Sequence, residues 1–138
     1  MIKKLMTTNC YDGDETMIIM GTCLPSVQPN AYKKLEEITK SIYELCLEET
    51  HVNMAITKII GILSRITVKK IIFATVDKSP HCVQMHYIES EIQKAMKLEN
   101  TEFIHYVAVG DELVKVSSET IKLSKNLSEL EKGNKTNN

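Results

Sequence analysis

KKIIFATVDKSPHCVQMHYIESEIQKAMKL, residues 69–98, is the stretch whose reading decides the fold. Ile71, Ile72, Phe73, Ala74 and Val76 form a short apolar run, rich in β-branched and aromatic residues, that ends at Asp77. Such a run marks an interior strand with both faces covered. Ser79 and Pro80 then signal a helix start. The serine hydroxyl can accept from an orphan amide, and proline needs no donor at the first helical position. The expected helix runs over 81–98, with Met85, Ile88, Ile92, Ala95 and Met96 as its core stripe. On this register Cys82 falls at the third helical position, near unpaired amides that favour an anion, and His86 lies one turn further along the same face.

Outward from this unit, Thr16–Met20 (TMIIM) reads as a second interior strand, and Cys23 stands just beyond its carboxyl end. Leu24 to Asn30 holds two prolines and reads as a turn-rich linker. Residues 31–48 carry Leu35, Ile38, Ile42, Leu45 and Cys46 at helical spacing, and residues 51–66 carry a broader apolar face that includes Ile56, Ile59, Ile60 and Leu63. Both segments are expected as helices, with Cys46 packed in the core. Phe103–Val109 and Glu112–Val116, joined across Gly110-Asp111, read as a hairpin. A last helix is expected over about 119–131. Ile2–Met6 suggests a short edge strand, and residues 9–14, including Cys10, a surface loop.

If strands 16–20 and 70–76 are parallel, the chain has to leave one end of the sheet and return to the other. One helix accomplishes this, and two long antiparallel helices do not. The segment 51–66 is then the crossover, and 31–48 an excursion that brings His51 to the carboxyl edge where Cys23 and Cys82 lie. These elements describe a three-layer α/β domain with a Rossmann-like mixed sheet and an antiparallel edge hairpin. Residues 1–131 form one domain, and 132–138 a flexible C-terminal tail.

The totals narrow the function. The chain has 138 residues, 43% of them hydrophobic, and a formal charge of −1. Arg65 is the only arginine, and the basic clusters are pairs. No nucleic-acid partner is expected on those grounds. Nor is a membrane partner, because no apolar run reaches spanning length and none follows the basic start of the chain as a signal peptide requires. The expected compartment is the cytoplasm. GxGxxG and GxxxxGK[ST] are both absent.

Four cysteines and four histidines remain as carriers of chemistry, with no CxxC pair among them. Cys23, His51, His81, Cys82 and His86 are the candidate metal ligands, and zinc, which accepts thiolate and imidazole together, is the first expectation. The preferred set is Cys23, His51, Cys82 and His86, with His81 as substitute and Glu89 holding the outer nitrogen of His86. A mixed-ligand iron–sulfur cluster is the alternative cofactor. The competing readings are a thiol-dependent redox or nucleophilic enzyme using Cys82 and His86 as catalytic residues, and a non-catalytic module that binds a small molecule or a partner. His105, in mid-strand, is expected to be either satisfied by packing or exposed at the surface. A homodimer is a further expectation.

Overall fold

The computed structural model describes residues 2–8 and 15–136. In chain order the elements are β1 (Lys3–Lys4), a 3-10 turn (Leu5–Thr7), β2 (Thr16–Gly21), α1 (Leu24–Val27), α2 (Pro29–Ile38), β3 (Ile42–Leu45), α3 (Val52–Leu63) and β4 (Lys70–Val76). They are followed by α4 (Pro80–Met85), α5 (Ile88–Ala95), β5 (Glu102–Val109), β6 (Glu112–Val116), α6 (Ser118–Ser124) and α7 (Leu127–Thr136). The six strands form one sheet in the order β1-β3-β2-β4-β5-β6. All neighbours are parallel except the β5–β6 hairpin, in which Val109 faces Glu112. The expected α/β class, mixed sheet and edge hairpin are all present.

Strand alternation divides the core into two layers. On one face Met17, Ile19, Ile71 and Phe73 pack with Ala55, Ile59 and Ile62 of α3 and with Ile88 and Ile92 of α5. On the other, Ile18, Met20, Ile72 and Ala74 pack with Leu24 of α1 and with Ala31 and Leu35 of α2. β2 and β4 are therefore covered on both sides, which is why their sequences are continuous apolar runs.

One expected element is replaced. The segment read as a helix over 31–48 contains α2, a break at Thr39 and the strand β3. Ile38, Ile42 and Leu45 recur at helical spacing, so periodicity alone mimics a stripe. The deciding interactions are remote: β3 sits between β1 and β2 and bonds to both. Thr39 marks the break, with its hydroxyl donating to the Thr16 carbonyl at 3.2 Å and accepting from the Ser41 amide at 3.1 Å. With β3 present, α2 and α3 each serve as a single crossover, and the parity requirement is met without an excursion.

Two further helices are broken. The stretch 81–98 divides at His86-Tyr87 into α4 and α5. The C-terminal helix divides at Asn126, whose side chain accepts from the Glu129 amide at 3.4 Å and so starts α7. α7 continues through Thr136, so residues 132–136, expected as tail, are helical. The expected 9–14 loop lies outside the described residues. Among the described residues, no helix is long and apolar enough to cross a membrane.

Phe73 is fully buried and stacks on Phe103, with ring centroids 6.4 Å apart. Phe73→Ala should lower the unfolding free energy by about 3–5 kcal/mol, measured by denaturant titration with an unchanged slope.

Candidate functional site

β2 hands the chain to the α1–α2 layer, whereas its neighbour β4 hands it to the α4–α5 layer. The loops leaving the two strands diverge and open a crevice at their carboxyl ends, the usual place for a ligand in an open α/β sheet. The loop after β3 closes its third side. Gly21, Thr22, Cys23, Cys46, Glu48, Ser79, His81 and Cys82 are among the residues lining this cavity of about 50 Å³.

Local sequence places each group. The Ser79 hydroxyl accepts from the Cys82 amide at 3.3 Å, with Pro80 at the first helical position, as the motif implied. The turn before it is tight enough to hold Lys78 in the left-handed region, at φ 67°. Cys82, Met85 and His86 project from one face of α4 toward the sheet. The Cys82 sulfur reaches Gly21 closely: a Cβ on that glycine would lie 3.3 Å from it. Cys46 follows the unexpected strand β3, so it reaches the crevice and not the helical core position first expected.

Among the described residues, no Lys or Arg lines the crevice. The Cys23 thiol is pushed above its usual value by burial first, then by Cys46, Cys82, Glu48 and Glu49. His81 at the rim is held by Glu48, Nε2 to Oε1 at 3.0 Å, with both side chains more than half exposed.

The expected ligand set is only partly assembled. Cys23, His81 and Cys82 line one crevice. His51 does not line it; its Nδ1 accepts from the Asn53 amide at 3.2 Å and caps α3. His86 shares the α4 face of Cys82, but both of its ring nitrogens have other partners. Nε2 meets the Thr75 hydroxyl at 2.7 Å and Nδ1 meets His105 Nδ1 at 2.9 Å. The pairing of His86 with Cys82, as catalytic partner or fellow ligand, is therefore not formed. Glu89, expected beside His86, instead holds His105 Nε2 at 2.6 Å. Among the described residues, no three His, Cys, Asp or Glu side chains are grouped so as to hold a metal ion.

A family model for a Rossmann-like domain matches residues 13–137. The chain belongs to the Rossmann-like domain family. No curated protein and no solved structure matches it. In this Rossmann-like domain the crevice between β2 and β4 occupies the position where the winding reverses, but a cavity of about 50 Å³ is far below the roughly 300–1,000 Å³ of ordinary small-molecule pockets. Cys46 also lines a wider groove of about 350 Å³ that runs toward β1.

The chain Thr75–His86–His105–Glu89 was not legible in the sequence. Glu89 and His105 are 16 residues apart and on different elements, and no spacing rule links them. Its protons can be assigned from its partners. With Glu89 as a carboxylate and His105 neutral, His105 Nε2–H donates to it, leaving His105 Nδ1 to accept from His86 Nδ1–H. His86 Nε2 then accepts from the Thr75 hydroxyl. Both imidazoles are nearly inaccessible, at 4% for His86 and 2% for His105. Beside them lies a recess of about 30 Å³ lined in part by Glu89, Ser90, Lys122 and Lys125.

Burial, followed by the repulsion that a second proton would meet wherever His105 also carries one, lowers the His86 pKa to about 3. An unfolded histidine titrates near 6.5, so between these values the unfolded chain binds the extra proton. This group's contribution is present above about pH 6.5 and is lost as pH falls toward 3, at up to about 1.4 kcal/mol per pH unit. His86→Gln should flatten that dependence in denaturant titrations between pH 4 and 6.5, while lowering stability at pH 7.5 by about 1–3 kcal/mol.

Proposed function

We propose that this domain binds a small soft metal ion, zinc foremost, in the crevice at the carboxyl ends of β2, β3 and β4. Cys23, Cys46 and Cys82 would be its thiolate ligands, with His81 as the fourth. The observation that carries the reading is that three free thiols, from the loops after β2 and β3 and from α4, line one small cavity whose described lining residues include no lysine or arginine. Thiolate donors select soft ions. Burial first, and then the neighbouring thiols and the Glu48 and Glu49 carboxylates, raise the Cys23 pKa; those carboxylates disfavour phosphates and favour a cation. The cavity volume suits an ion and not a nucleotide. The ligands are not drawn together as they stand, so binding requires the thiols, including Cys23 exposed at its turn, to close on the ion. His81 would exchange Glu48 for the metal, leaving that carboxylate beside it.

A second reading rests on the same three free thiols lining one cavity: they act by redox exchange. Cys82, as a thiolate, would attack a small oxidised disulfide and expel one thiolate. Cys23 or Cys46 would then attack the mixed disulfide, leaving an intramolecular disulfide and releasing two reduced thiols in all. Two electrons pass to the substrate, and the protons of the protein thiols go to the leaving groups.

Elemental analysis of untagged protein separates the two. The metal reading expects near one zinc per chain, bound more weakly as pH falls because the thiols must lose protons. Cys82→Ser should reduce the affinity by more than the ~10–100-fold typical of losing an outer partner. Protein without bound metal, unable to take up zinc in a competition titration, would overturn it. Loss of two mass units from that protein on treatment with oxidised glutathione, mapped to Cys82 and a second crevice cysteine, would establish the redox reading.

A further inference from the structure

The break between α4 and α5 has no local cause. Residues 81–97 contain neither glycine nor proline, the usual origins of a sharp bend. The amides at the break nevertheless bond three residues back: His86 to Val83 at 3.2 Å and Tyr87 to Gln84 at 3.1 Å. The helix tightens at the residue whose imidazole enters the core. That imidazole is tied to β4 through Thr75, and to β5 and the first turn of α5 through His105 and Glu89. His105 is itself held flat against Phe73, with ring centroids 5.5 Å apart and planes 13° apart. Among the described residues no buried side-chain nitrogen or oxygen lacks a partner, so the chain is complete as drawn.

We infer that Thr75, His86, His105 and Glu89 are the positioning residues of the thiol crevice, ending α4 at Met85 and locking its sheet-facing side so that Cys82 is held against Gly21. The geometric link is short. Cys82 lies one turn before His86 on the same face, and a Cβ on Gly21 would lie within 4.0 Å of both the Cys82 sulfur and the Thr75 Cα. Rotation of α4 about its axis moves Cys82 and His86 together. The bonds that fix His86 therefore fix the direction of the thiol. The inference rests on the crevice being the site, but concerns how Cys82 is held whether or not a metal binds there.

The test uses metal-free full-length protein and limiting iodoacetamide at constant neutral pH, with alkylation at each cysteine followed by peptide mass spectrometry. Cys23 and Cys46, on other elements, are internal references. Thr75→Val keeps the shape and removes the hydroxyl; Thr75→Ser keeps the hydroxyl. Glu89→Ala cuts the chain at its partly exposed end and remains informative if Thr75→Val does not fold. In Thr75→Val and Glu89→Ala, the Cys82 rate relative to Cys23 and Cys46 should rise by roughly tenfold, equivalent to about 1.4 kcal/mol of easier local opening. Thr75→Ser should restore the wild-type ratio. Equal acceleration at all three cysteines, or lower melting temperatures with unchanged ratios, would overturn the inference. A wild-type protein that binds no zinc would leave these ratios standing, so failure of the metal reading is separable.

Discussion

Two imidazoles buried within an apolar layer require partners for every ring nitrogen, since an unmet polar atom there costs about 1–3 kcal/mol. The fold meets this requirement with one chain of bonds from Thr75 through His86 and His105 to Glu89. The members come from β4, the α4–α5 junction, β5 and α5, so their satisfaction depends on the relative placement of all four. Leucine–isoleucine contacts on the same layer tolerate sliding, whereas hydrogen bonds of 2.6–2.9 Å do not. The polar chain thus gives this side of the sheet one register, and the direction of α4 follows from it.

The crevice owes its position to winding and its chemistry to three loops. Because β2 and β4 send the chain to opposite layers, a crevice opens between their carboxyl ends. Gly21 allows close approach there, and the Cys82 sulfur takes up that space. Cys23 arrives by the exit from β2, and Cys46 by the exit from β3. The sulfur-rich lining belongs to no single segment, and the lack of lysine or arginine among its described lining residues separates it from the phosphate sites common at such positions. β3 matters doubly: it extends the parallel sheet toward β1 and supplies the third thiol.

Legibility in the sequence followed the range of the interactions involved. The buried runs of β2 and β4, the Ser79-Pro80 helix start and the Gly110-Asp111 hairpin are local signals, and each stands where the residues imply. β3 was hidden because Ile38, Ile42 and Leu45 satisfy a helical period while Ile42, Tyr43 and Leu45 also satisfy a central strand; pairing with β1 and β2 chooses between them. His86 was visible as a residue of interest, but its partners were not. His105 read as a packed or surface-exposed mid-strand histidine; the layers bury it, and nothing in the sequence signalled that His86 meets it.

By itself the sequence determined the α/β class, the two central strands, the edge hairpin and the presence of Cys23 and Cys82 just past strand ends, because these depend on hydrophobic period, capping and turn chemistry within a few residues. Only the tertiary structure decided that 42–45 is a strand, that Cys46 joins the crevice, that the helix after Pro80 stops at Met85, and that His51 and His86 turn to other partners. Those outcomes depend on hydrogen bonds between residues distant in the chain, whose energy exists only once the layers have come together.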